Sequence, residues 1–408
     1  MTKKRKVDII NLFYLLFFDI YIQYSLTFMK NRVFYNSNTL VNLSNSILKH
    51  FGAETFHETI PEIDELLKGH DKVVVMLFDG MGQNIIRMHL KEKSFIRSNY
   101  VHTINSVFPP TTSAATTAFL SAKYPIETGW LAWAQYFKEY NRNIILFKNK
   151  DYNTGEAIEG ENIGFKFFPY PSIFELIKSA NKDVDVFDVK RYPIHQDGPK
   201  RLSDSYRKIN KKLKDSKKCF MYYYFDSPDY EMHEKGIDSL TVHFYVKRID
   251  HFVKKIAKKN KDTLFITIAD HGHVNVEYFD ICDHEDLYSL LRTPMTLEKR
   301  NAGFFIKEGK EKLFEQLFNK YYGEYFTLLS HDEILEKQIY GAGKMGENVK
   351  DFIVDYIAIS DTKYCLYASK ELSYLGLHKG HHAGGTNEER LIDVSVFNKV
   401  NCNLKCNT

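Results

Sequence analysis

Cysteine is scarce in this chain: five in 408 residues, scattered and odd in number (Cys219, Cys282, Cys365, Cys402 and Cys406). That excludes a disulfide framework and suits a reducing, cytoplasmic setting. Cys402 and Cys406 form a CxxxC, but a structural zinc would need two further ligands and none is evident. An excess of charge is lacking too. Lys and Arg number 56 against 52 Asp and Glu, for a net +4, so there is no nucleic-acid-binding signature at the level of the whole chain. Long apolar runs are also missing. Ile9–Phe18, behind the basic Lys3–Lys6 stretch, imitates a signal peptide, but Asp8, Asn11 and Asp19 flank or interrupt it and no small-residue cleavage site follows. The run is too short and too polar for a transmembrane span. Residues 1–28 therefore read as a dispensable extension. A signal or membrane anchor there is the alternative, which would make the protein exported or membrane-associated.

What the chain does have is three short, almost unbroken apolar runs that each end in acid. KVVVMLF (Lys72–Phe78) runs into Asp79 and Gly80. CFMYYYF (Cys219–Phe225) runs into Asp226, with Asp229 just beyond. TLFITIA (Thr263–Ala269) runs into Asp270 and His271. Continuous β-branched and aromatic runs bounded by turn residues are the mark of strands buried on both faces, hence of a mostly parallel sheet covered by helices. Helical patterns at Pro171–Ala180 and Ser239–Lys259 supply the alternation of an α/β fold. Ligands bind such sheets beyond the carboxyl ends of the strands, so three acidic strand ends point to one crevice.

Between Arg300 and Ser360 the pattern changes to short strands and helices. Residues 300–349 read as a small α+β insertion, with 29–299 and 350–408 forming the core.

Asp229 and His233 are four residues apart, on one face of any helix starting after Pro228. Carboxylate with imidazole is a common set of donors for a divalent cation. Asp270 and His271 would alternate within a strand, but Gly272 lets the chain turn so that both can face the crevice. GHHAGGTNEE (Gly380–Glu389) surrounds His381 and His382 with small residues. PPTTSAATT (Pro109–Thr117) puts hydroxyls at what reads as a helix start, where backbone amides attract a phosphate. A hydroxyl activated by a cation is a phosphoryl-transfer nucleophile.

Taken in chain order, this set resembles the alkaline phosphatase superfamily, in particular its type I phosphodiesterase/nucleotide pyrophosphatase family. VVVMLFDGMG (Val73–Gly82) is similar to that family's first metal strand, and SVFPPTTSAATTAFLSAKYP (Ser106–Pro125) to its nucleophile helix. FDSPDYEMH (Phe225–His233), ADHGH (Ala269–His273) and HHAGGTNEE (His381–Glu389) are similar to its remaining metal motifs.

The resemblance implies an alkaline-phosphatase-like three-layer α/β sandwich with a mostly parallel central sheet. It implies two divalent metal ions, zinc by ligand type with manganese also accepted. One would be held by Asp79, Thr112, Asp270 and His271, the other by Asp229, His233 and His382. Thr112 would be the nucleophile, with Thr111 and Ser113 as competitors, and His381 competes with His382. The implied activity is hydrolysis of phosphodiester or pyrophosphate bonds in a small phosphorylated substrate such as a nucleotide. Phosphomonoester hydrolysis, phosphonate cleavage and a phosphomutase are the rivals on the same scaffold, and a non-catalytic metal- or phosphate-binding protein is the rival of another class. One departure stands out: the family's phosphate-holding asparagine falls, without gaps, on Trp133.

Overall fold

A strand flanked by strands on both edges and covered on both faces must be apolar, and β1 (Lys72–Phe78) is so from its second residue on: Val73 to Phe78 are fully buried. Each such side chain contributes about 1.5–3 kcal/mol over its exposed state. The computed structural model describes residues 38–398, except Pro193 and Leu372. The Ile9–Phe18 run and the Cys402–Cys406 pair lie outside the described residues. Among the described residues, no helix is long and apolar enough to cross a membrane.

The central sheet has six strands. Besides β1 they are β2 (Tyr100–Asn105), β3 (Asp185–Lys190), β4 (Cys219–Phe225), β5 (Thr263–Ile268) and β6 (Leu391–Phe397), in the spatial order β2-β6-β5-β1-β4-β3. β1 is parallel to β4 and β5, and β3 to β4. Only β6 runs antiparallel to its neighbours β2 and β5. The sheet is thus mostly parallel, as expected for an alkaline-phosphatase-like α/β fold.

Register explains why the acids converge. Phe78 pairs with Phe225, and Leu77 with Ile268. The residues after these pairs, Asp79, Asp226 and Asp270, therefore leave the sheet along one edge. β5 stops at Ile268, one residue earlier than its apolar run. Asp270 and His271 are consequently loop residues and are free of strand alternation.

A second, seven-stranded sheet is antiparallel throughout. It joins strands from distant stretches: Ala134–Phe137, Arg142–Ile145 and Lys150–Asp151 meet Thr296–Glu298, Asn301–Phe304, Phe326–Ser330 and Tyr356–Ser360. A separate aromatic cluster including Phe304, Phe314, Phe318 and Phe326 packs on it.

Candidate active site

The edge where the three strands end is built by short, tight connections. Gly80 follows Asp79 at φ +69, and a Cβ there would lie 2.7 Å from Met232 Cε and 3.1 Å from Asp229 Cβ. Only glycine combines that backbone angle with that approach. The approach lets α2 (Asp229–Lys235) begin directly beside the β1 turn. Asp226, by contrast, turns outward and accepts a 2.6 Å hydrogen bond from Arg191 Nη1.

Thr112 opens α1 (Thr112–Ser121), with Thr111 as its N-cap. The Thr112 hydroxyl lies 3.4 Å from both carboxylate oxygens of Asp79 and 3.3 Å from His271 Nε2. Thr111 and Ser113, its neighbours, are fully buried.

His271 Nε2 is in turn 3.4 Å from Asp79 Oδ1 and 3.5 Å from Asp270 Oδ2. Asp79, Thr112, Asp270 and His271 therefore form one knot. Around Asp229 lies a second: His233 Nε2 is 3.4 Å from Oδ2, His382 Nε2 is 3.8 Å from Oδ1, and His273 Nε2 is 3.3 Å from Oδ1. The two knots abut, because donor atoms of Asp79, Asp229 and His271 lie within 4.8 Å of one another.

Three imidazoles are pinned the same way. Nδ1–H of His271 donates to the Gly272 carbonyl at 3.0 Å, that of His233 to Gly380 at 2.9 Å, and that of His382 to Pro110 at 3.1 Å. A carbonyl can only accept, so the proton sits on Nδ1 and the Nε2 lone pair faces the crevice. This backing is what metal-binding histidines require. His381 Nδ1 likewise lies 2.9 Å from a carbonyl, that of His382, and also 3.0 Å from the His382 amide.

The electrostatics call for positive charge. Burial, then the charges of Asp270 and Asp229, raise Asp79 well above the usual carboxylate range. Burial pushes Asp229 up to about 7. It also pulls His233 down to about 4 and His382 well below the usual imidazole value, so the rings are neutral donors. Asp270 Oδ1 accepts from the backbone N–H of Gly80 and of His271, both at 3.0 Å. Asp270 Oδ2 and Asp229 Oδ1 are buried with no hydrogen-bond partner among the described residues. Clustered carboxylates, neutral imidazoles and orphaned oxygens fit divalent cations.

Four contributors were not singled out from the sequence. Tyr224 donates its hydroxyl to Asp79 Oδ2. Glu298, buried and pushed up to about 7 by that burial, accepts from the Trp133 backbone N–H at 2.7 Å. Arg300 pairs through two hydrogen bonds, 2.6 and 2.8 Å, with Glu389 beneath the His382 loop. His273 was visible in ADHGH, but its spacing from His271 carries no helical signature.

Fold and site together define a metal-dependent phosphoric ester hydrolase of alkaline-phosphatase-like architecture. The profile of the type I phosphodiesterase / nucleotide pyrophosphatase family matches residues 73–384, and the chain belongs to that family. A search of curated protein sequences gives no match.

Solved structures similar in fold include murine ectonucleotide pyrophosphatase / phosphodiesterase 5, as an inactive threonine-to-alanine variant in complex with AMP. It is 19% identical at TM-score 0.58, over 79% of this chain and 87% of that one. The human counterpart is 18% identical at TM-score 0.58, over 80% and 88%. Phosphonoacetate hydrolase from Sinorhizobium meliloti 1021, in complex with phosphonoformate, is 14% identical at TM-score 0.60, over 80% and 89%.

Proposed function

We propose that this protein hydrolyses phosphodiester or pyrophosphate bonds of small phosphorylated molecules, nucleotides among them, through a phosphothreonine at Thr112. The observation that carries the reading is the Thr112 hydroxyl, at a helix start and within 3.4 Å of Asp79 and His271. The donors fit one cation at Asp79, Thr112, Asp270 and His271 and a second at Asp229, His233 and His382. Carboxylate and imidazole suit zinc and accept manganese. When bound, such cations neutralise the phosphate and the oxygens that change bond order.

The chain's own residues do the rest. Amides in the first turn of α1 orient the anionic phosphate. The Thr112 oxygen attacks phosphorus while the bond to the leaving oxygen breaks in line. The threonine proton passes by way of Asp79, to which the hydroxyl already points, out to solvent, and the leaving oxygen takes a proton from solvent. Water then attacks the phosphothreonine, restores the Thr112 hydroxyl and releases the second product. The inactive threonine-to-alanine variant of the murine neighbour, in complex with AMP, supports both the nucleophile and the substrate class.

One observation favours a second reading on the same scaffold. Trp133 stands where the resemblance implies a phosphate-holding asparagine, and a phosphonate hydrolase is among the structural neighbours. Lys148 Nζ lies 5.4 Å from the Trp133 ring centre, so the two side chains form a cationic and aromatic pair. Rates on a nitrophenyl monoester, a bis-nitrophenyl diester, a nucleotide and a phosphonate, each with defined zinc or manganese, decide between them. The proposal expects diester or nucleotide kcat/KM to exceed the others at least about tenfold, roughly 1.4 kcal/mol of transition-state binding. A faster monoester or phosphonate favours the second reading. No turnover and no bound metal would leave only a binding protein.

A further inference from the structure

His273 is fully buried, yet neither of its ring nitrogens has a hydrogen-bond partner among the described residues. Asp229 Oδ1, 3.3 Å from His273 Nε2, is equally without one, so the contact between them is not an aligned hydrogen bond. Two orphaned polar groups facing each other in a buried crevice need a third group that both can bind.

We propose that His273 is a fourth protein ligand of the cation assigned above to Asp229, His233 and His382, an inference that rests on that metal reading. Donor atoms of these four residues all lie within 4.8 Å of one another. Ligands at about 2.0–2.1 Å in a tetrahedron stand about 3.3–3.4 Å apart. Asp229 Oδ1 stands 3.3 Å from His273 Nε2, which matches that edge, and 3.8 Å from His382 Nε2; His233 Nε2 is 3.4 Å from the other oxygen of the same carboxylate, Oδ2. The rings are not stacked on one another: His273 is inclined 75° to His233 and 67° to His382.

The position is also built. Asn84 Nδ2 donates to the His273 carbonyl at 2.7 Å. Val274–Asn275 pairs antiparallel with Gly380–His381, which brings His273 beside the His382 loop. A Cβ on Gly380 would lie 2.9 Å from His273 Nδ1 and 2.7 Å from the Met232 carbonyl, so nothing larger than glycine fits behind the ring. The consequence is asymmetry. One cation has three imidazoles and a carboxylate, the other a single imidazole, two carboxylates and a hydroxyl.

The test is competitive zinc titration of the full chain against a chromophoric chelator, with the visible spectrum of the cobalt(II)-loaded protein as second readout. The variants are His273→Leu and, should that fail to fold, His273→Gln; melting of each metal-free variant reports folding. We expect two equivalents bound by the unaltered protein, one of them weakened at least about tenfold by the substitution, and an altered cobalt spectrum. His381→Ala should change neither. Unchanged affinities overturn the inference. So does weakened affinity with an unchanged cobalt spectrum, which would make His273 a residue that orients Asp229. An unaltered protein that takes up no metal overturns the metal reading itself, and this inference with it.

Discussion

The amide of Asp229 donates to the carbonyl of Asp79 at 3.2 Å, joining the end of β1 to the start of α2. Through this bond the backbone that carries one knot of donors positions the other. The two halves of the site are therefore mechanically coupled, and a change at the β1 turn should be felt at both.

Gly80→Ala tests that coupling. The substitution combines a φ of +69 with a Cβ 3.1 Å from Asp229 Cβ and 2.7 Å from Met232 Cε. We expect about 1–3 kcal/mol of lost stability, read as a lower denaturant midpoint, together with weaker metal binding. A variant with unchanged midpoint and unchanged metal affinity would show that the turn tolerates a side chain.

Arg300 and Glu389 are both fully buried and doubly hydrogen-bonded, and Glu389 Oε1 also accepts from the Gly384 amide at 2.8 Å. Arg300→Met would strand a buried carboxylate. The expected loss is about 3–5 kcal/mol, with most of it recovered in the double variant Arg300→Met, Glu389→Leu. Thermal melting of the three proteins measures this. Equal melting temperatures for the single and double variants would contradict it.

Metal-free protein should show a characteristic pH response. A histidine held below its unfolded value adds stability above about pH 6.5 that is lost as pH falls toward 4, and His233, His273, His378, His381 and His382 all act this way. A carboxyl raised above its unfolded value acts oppositely: Asp229, pushed up to about 7, destabilises progressively as pH rises from about 4 to 7. Asp79, raised well above its usual range, acts in the same direction. The imidazoles are more numerous, so the melting temperature should rise from pH 4.5 to about 6.5. It should then fall as Asp229 ionises around pH 7 and stay lower above it, and added zinc should remove the fall. Calorimetry with and without chelator checks this. A metal-free melting temperature as high at pH 9 as at 6.5 would contradict it.

The legible part of the sequence was the part with simple periodicity. Lys72–Phe78 and Cys219–Phe225 are strands with those bounds because a doubly buried strand has no polar face to blur its ends. The i, i+4 spacing of Asp229 and His233 was readable because it is a helix repeat. The preference for Thr112 over Thr111 and Ser113 comes from the resemblance, since adjacent hydroxyls differ only in where the helix start directs them; the Thr112 hydroxyl is directed at Asp79 and His271. The partner of Asp226, Arg191, lies 35 positions away and carries no local signal. His273 was hidden because two-residue spacing in an extended segment does not say which side faces the crevice. Long-range antiparallel pairing such as Leu297 with Ala134 likewise leaves no trace in either segment alone.

The central claim is that Thr112 attacks phosphorus, and the most direct measurement is turnover of a bis-nitrophenyl diester by Thr112→Ala beside its metal content. The account predicts a fall in kcat of roughly a thousandfold or more, with Asp79, Asp270, His271 and the Asp229 group still binding metal. A Thr112→Ala protein that keeps its metals and its full diesterase activity would contradict it.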